Sequence, residues 1–143
     1  VPFVVDASIA GAWLLPDETS IVADAALIRL ESDEAIVPDL FRHEVLNLLL
    51  SAERRNRISI EVLYDALHRL ETFRLRTETI ANSNLVIDLS RKHRLSGYDA
   101  TYLAVAKHLQ LPLATLDKHL IAAATAEDVA TLENSAPRGY LPR

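Results

Sequence analysis

Short apolar runs and longer stretches of helical periodicity take turns along this chain. Phe3-Val4-Val5 ends abruptly at Asp6-Ala7-Ser8 and is followed by Ile9-Ala10-Gly11-Ala12-Trp13-Leu14. That order predicts a buried strand, then a helix whose first turn carries Asp6 or Ser8. Pro16-Asp17-Glu18-Thr19 breaks the helix, and Ile21 to Leu30 makes another, its apolar residues only roughly on one face. Ala35-Ile36-Val37-Pro38 predicts a second strand. Asp39 is then expected to cap a long helix from Leu40 to about Arg55, and Ser59 precedes a helix from Ile60 to about Leu70. Alternation of Phe73, Leu75 and Thr77 predicts a third strand, and Ile80 to His93 reads as helical.

The next stretch, Ser96 through Ala106, places Ser96 and Asp99 at the spacing of a capping box. Asp99 therefore falls in a first turn, where free N–H groups and the helix dipole favour an anion. Behind it Ala100, Leu103, Ala104 and Lys107 recur at helical spacing, and Ala106 keeps the shoulder of the helix narrow. Leu111 to Leu116 predicts a strand ending at Asp117, Lys118 to Ala124 a short helix, and Val129 to Leu132 a last strand. The tail from Glu133 is polar and is expected on the surface. Strands alternating with helices predict an α/β fold with a mostly parallel sheet between helical layers. No internal repeat or linker divides residues 1–143, so one domain is expected.

Composition narrows the chemistry. The chain has 143 residues, half of them hydrophobic, enough for a core without staples. It has no cysteine, which excludes disulfides, zinc–thiolate sites and thiol nucleophiles and suits a reducing cytoplasm. No apolar run approaches the roughly 18 residues of a membrane span, and no signal peptide opens the chain. Val1 in place of an initiator Met predicts processing or an expression boundary. The net charge of −5 argues against a general nucleic-acid coat but not against a nuclease, whose acidic metal site contributes negative charge that cations offset. Arg54, Arg55 and Arg57 form one basic group and Arg91, Lys92 and Arg94 another; both are read as helix ends complementing the dipole.

Four acids carry the candidate chemistry. Asp6 and Asp117 each follow directly on an apolar strand, and in open parallel sheets the crevice beyond the strands' carboxyl ends is the usual site. Each could instead merely cap the helix after it. Glu44 lies inside the helix from Leu40, with Leu40 and Leu48 four residues away, Phe41 and Asn47 three away, and no basic neighbour to explain it. Asp99 is the fourth. Two unit charges about 4 Å apart repel by roughly 4 kcal/mol at an effective dielectric of 20, so a pocket gathering all four would be strained without a cation. Oxygen-only ligands suit Mg²⁺ or Mn²⁺, which activate water and offset charge on a phosphate. If the acids converge, they predict metal-dependent phosphodiester cleavage. The five histidines, His43, His68, His93, His108 and His119, have no metal-ligand spacing and are expected at surfaces and helix ends. Trp13 is expected in packing.

The order and wording of four stretches resemble PIN-domain ribonucleases, most closely VapC-type toxins of toxin–antitoxin pairs. They are Val4-Val5-Asp6-Ala7-Ser8; Pro38 through Glu44-Val45-Leu46-Asn47-Leu48-Leu49; Tyr98-Asp99-Ala100-Thr101-Tyr102-Leu103-Ala104; and Ala114-Thr115-Leu116-Asp117. The resemblance implies a PIN-like three-layer α/β/α sandwich with a parallel five-stranded sheet in the order 3-2-1-4-5. It implies a cytoplasmic, Mg²⁺- or Mn²⁺-dependent endoribonuclease, a homodimer or dimer of dimers, neutralised by a cognate VapB-like antitoxin. Carried over by position, Asp6, Glu44, Asp99 and Asp117 become the metal-binding acids, and Ser8 and Thr115 polar residues lining the same site. The leucine-rich segments Leu46–Leu50 and Leu63–Leu70 are expected mostly in the core, though VapC-like proteins use their early helices for the partner.

Two other classes compete. One is a PIN-like module that works through antitoxin and operator complexes with little turnover. The other is a phosphoacceptor receiver domain, which would want adjacent acids after the first strand and a Lys after the last. Asp6-Ala7 lacks that pair, and Lys118 lies beyond Asp117 on a helix.

Overall fold

A computed structural model describes residues 1–79 and 82–132. Along the chain run β1 (Phe3–Val5), α1 (Ala7–Leu14), α2 (Ile21–Arg29), β2 (Ala35–Val37), α3 (Leu40–Arg54), α4 (Ile60–Glu71), β3 (Leu75–Thr77), α5 (Ser83–His93), α6 (Gly97–Leu109), β4 (Leu113–Ala114) and α7 (Lys118–Ala126). The strands form a parallel sheet in the order β3-β2-β1-β4. The chain lays β2 and β3 to one side of β1 and then returns to place β4 on the other. The strand order therefore reverses between β1 and β4, where such sheets open their crevice.

The expected fifth strand is reduced to one parallel bridge, Leu113 to Thr131, on the outer side of β4. Leu113 N–H donates to the Ala130 carbonyl, and Leu132 N–H donates back to Leu113. The order 3-2-1-4 is thus the expected one without its last full strand. β4 itself is two residues rather than the expected six. Pro112 has no N–H to extend the ladder. Beyond Ala114, the Thr115 hydroxyl accepts from Asp117 N–H and turns the chain into α7. The expected helix from Ile80 starts at Ser83, where Asn82 caps it; Ile80, Ala81 and the polar tail from Glu133 lie outside the described residues.

The sheet is apolar at its centre because both faces are covered: Phe3 to Val5 and Ala35 to Val37 are fully buried. The helices form two packed groups, α1 with α2, α3 and α4, and α6 with α5 and α7; α6 also packs on β1 and β4. The Ala-rich helix lies close, with Ala100, Leu103, Ala104 and Ala106 inaccessible. Lys107, expected to continue that face, is exposed instead and reaches Glu127. Gly11 lets α1 and α3 approach: a Cβ there would meet Leu48 Cδ1 at 3.0 Å. Trp13 is buried edge-on against Phe73 and donates its Nε1–H to the Ala23 carbonyl.

Candidate metal centre

Asp6 leaves the carboxyl end of β1 and is 4% exposed. Its Oδ1 accepts from the N–H groups of Ser8 and Ile9, capping α1, and from the Ser8 hydroxyl at 2.6 Å. Its Oδ2 accepts from the Thr115 hydroxyl at the end of β4. Ser8 Oγ in turn accepts from Leu116 N–H at 3.0 Å, and Thr115 Oγ1 from Asp117 N–H at 3.1 Å. Two hydroxyls thus tie the ends of the neighbouring strands together through one carboxylate. Burial pushes the Asp6 carboxyl up from 3.8 to about 6, against the hydrogen bonds from Ser8, Thr115 and Ile9; the charge of Asp99 adds to the rise.

Asp99 opens α6, where Ser96 Oγ accepts its backbone N–H, the first half of the expected capping box. The carboxyl is half-buried and raised by burial and then by the charge of Asp117, with Ser96 and His119 opposing. Glu44 projects from the second turn of α3. Burial raises it too, the Tyr102 hydroxyl opposes, and Asp99 again adds a like charge. Asp117 is exposed at the head of α7, where its Oδ1 accepts from His119 and Leu120 N–H groups. Asp6 and Asp117 are therefore helix caps as well as members of the acidic group; the two readings coexist. Asp39 departs from expectation: its side chain makes no capping bond and instead accepts from the Thr79 hydroxyl.

The electrostatic contacts among the acids run through one residue: Asp6, Glu44 and Asp117 each interact with Asp99. Among the described residues, no three His, Asp or Glu side chains stand close enough to cage an ion as placed. The donor chemistry nonetheless fits a hard divalent cation, since every acid is an oxygen donor, and burial and like charge both hold three of them above their ordinary values.

Two residues near these acids escape sequence reasoning. Tyr102, 1% exposed, donates its hydroxyl to Glu44 Oε1 at 2.6 Å. It lies three residues beyond Asp99, so helical spacing could have put both on one face, but nothing in the sequence pairs it with Glu44. His119 is expected only at a helix end, and it is there, hydrogen-bonded to the His93 carbonyl. Its charged form also acts on Asp99.

Asp6 and Asp117 stand at the carboxyl ends of β1 and β4, where the order of the parallel sheet reverses. Residues 3–126 match the PIN domain. The chain belongs to the PIN-domain family. It is 32% identical to Ribonuclease VapC3 of Pyrobaculum aerophilum over 120 residues, 82% of this chain and 90% of that protein. The fold is similar to the crystal structure of PAE2754 from Pyrobaculum aerophilum, with a TM-score of 0.70, 22% identity, and coverage of 92% of this chain and 90% of that one. It is similar also to FitAcB from Neisseria gonorrhoeae, with a TM-score of 0.65, 18% identity, and coverage of 92% and 97%. No helix among the described residues is long and apolar enough to cross a membrane.

Proposed function

We propose that the protein is a Mg²⁺- or Mn²⁺-dependent endoribonuclease, the toxin of a toxin–antitoxin pair. One observation carries the reading: Asp6, Glu44 and Asp117 all interact with Asp99 at the switch point of the sheet, and among the described residues no lysine or arginine is a leading influence on the three raised carboxyls. Similarity to a relative named as a ribonuclease supports it. Asp6, Glu44, Asp99 and Asp117 are the residues that would hold the ion. When bound, a divalent ion lowers the pKa of coordinated water and offsets charge building on the phosphate under attack.

The chain's own groups divide the remaining work. Ser8 and Thr115 lock the orientation of Asp6, so this carboxylate is preorganised. Asp99 is the shared partner of the other acids and is positioned by the first turn of α6. Asp117 is exposed at the head of α7 and open to substrate. Burial of Asp6 and half-burial of Glu44 and Asp99 strengthen the charge interactions there. Among the described residues no side chain is placed as a covalent nucleophile, which leaves water as the attacking group.

The partners follow from the same reading: RNA as substrate, a VapB-like antitoxin, and a second copy of the chain in a homodimer or dimer of dimers, in the cytoplasm. Leu46 on α3 and Ile60, Val62 and Tyr64 on α4 stay 36–57% exposed and supply apolar surface for a partner. A second reading, a PIN-like module acting through antitoxin and operator complexes with little turnover, draws support from the open spacing of the acids. RNA cleavage assayed with Mn²⁺ and with chelator separates the two. Cleavage that requires the ion supports the nuclease; none under either condition supports the module.

A further inference from the structure

The Glu44–Tyr102 pair has a shape that the four acids alone do not account for. Glu44 comes from α3, in one group of packed helices, and Tyr102 from α6, in the other. The ring of Tyr102 is 1% exposed, and its hydroxyl meets Glu44 Oε1 at 2.6 Å. A buried phenol of this kind needs one acceptor, and any apolar packing residue would have filled the same space without that demand. The same helix presents Asp99 one turn earlier, and the charges of Asp6 and Asp99 also reach the phenol. Tyr102 therefore sits inside the acidic group, touching Glu44. The Asp6 and Asp117 carboxylates are fixed by N–H groups of their own helices, and the Ser96 hydroxyl sets the backbone of Asp99. Glu44, mid-helix with a long side chain, has rotamer freedom that only a side-chain partner can remove.

We propose that Tyr102 is a positioning residue for the metal centre: its hydroxyl occupies Glu44 Oε1 and turns the other oxygen, Oε2, towards the pocket shared with Asp99. Glu44 would then hold the ion with Oε1 already engaged by the Tyr102 hydroxyl. Tyr102 does not touch the reacting atoms and is not catalytic; it sets affinity for the ion. This rests on the metal-dependent reading of the site.

The test is Mn²⁺ binding to the full chain, followed by the loss of the free-ion EPR signal, in the wild type, Tyr102→Phe and Ser8→Ala. Phe keeps the buried ring and removes one oxygen. Tyr102→Phe is expected to weaken Mn²⁺ about 10–100-fold, the usual cost of an outer partner of a ligand. RNA cleavage by this variant should shift to higher Mn²⁺ and recover at saturation. Thermal stability of the ion-free protein should change far less than for a core truncation. Unchanged Mn²⁺ affinity in Tyr102→Phe, beside a wild type that binds and cleaves, overturns the role of Tyr102 and leaves the nuclease reading standing. A wild type that binds no Mn²⁺ and cleaves nothing overturns both. Should Tyr102→Phe not fold, the wild type still decides: with ¹³C-labelled tyrosine, Mg²⁺ should move the Cζ resonance of Tyr102 and leave exposed Tyr64 in place. A motionless Tyr102 signal through saturation rejects the proposal.

Discussion

Two groups of carboxylates on opposite ends of α6 receive opposite treatment. At its C-terminal side, Glu127 has a side chain 5% exposed and is ringed by Lys92, His93 and Lys107, from α5 and α6. Hydrogen bonds from Lys107, Lys92 and His93 pull its carboxyl down to about 2. At the N-terminal side, Asp6, Glu44 and Asp99 are buried or half-buried among like charges and are pushed up. Glu127 is surrounded by cations; around Asp99 and its neighbouring acids the described residues supply hydroxyls, N–H groups and the charge of His119. Carboxylates left in that condition are costly to the apo protein and useful to one that binds a cation.

The sharpest way to break this contrast is Asp99→Asn. It should reduce RNA cleavage by at least about 100-fold, beyond the usual loss for an outer-shell group. Melting without metal should stay level or rise, because the substitution removes the charge that Asp6, Glu44 and Asp117 all face. A large loss of stability would instead mark Asp99 as a structural cap, for which about 1–2 kcal/mol is expected.

Next in size is the pH response of Asp6. Its folded value of about 6 exceeds the ordinary 3.8, so between these values the folded state holds the proton that the unfolded state has lost. Stability from Asp6 is therefore fully present below the ordinary value of 3.8 and is lost as pH rises to about 6, by about 3 kcal/mol in all. Divalent ions bind the ionised carboxylate, so Mn²⁺ should raise the melting temperature more at about pH 7.5 than at about pH 5. An equal rise at both, measured by calorimetry, contradicts the shared pocket.

On the other side of the contrast, Glu127→Gln should cost about 2 kcal/mol, the scale of hydrogen bonds to charged groups, while Mn²⁺ affinity stays at its wild-type value. Its depressed carboxyl stabilises the fold above the usual glutamate range, and that stability drains away as pH falls towards 2. In Glu127→Gln the acid-side loss should flatten in denaturant titrations. Smallest is Ser8→Ala, which removes the bonds from Ser8 Oγ to Asp6 and from Leu116 N–H to Ser8 Oγ and should cost about 1 kcal/mol with a modest weakening of Mn²⁺.

Some helix starts were legible in the sequence. Ser59 and Ser96 cap where their positions predict, because a hydroxyl before an apolar run has a local job, whereas Asp39 makes no capping bond. Helix ends were not: Arg94 and Gln110 take the left-handed conformation after α5 and α6, at positions where glycine usually advertises the stop. Of the basic groups read as dipole complements, Arg54, Arg91 and Lys92 sit in last turns, while Arg55 and Arg94 follow as C-caps; Lys92 also holds Glu127, and Arg57 beyond α3 clamps Asp17 and Glu18. Those pairings join residues far apart in sequence, so no local pattern announces them.

The sequence by itself determined the alternation of strands and helices, the placement of Asp6 and Asp117 just past strand ends, and Asp99 in a first turn, since each depends on neighbours a few residues away. Only the tertiary structure decided that β4 returns beside β1, that Asp99 is the acid the others share, and that Glu44 leans on Tyr102. The bonds from Tyr102 to Glu44 and from Thr115 to Asp6 cross 58 and 109 positions of chain and are made by the sheet order and the close approach of small-residue helices. Short-range chemistry writes the parts, and packing chooses which of them meet.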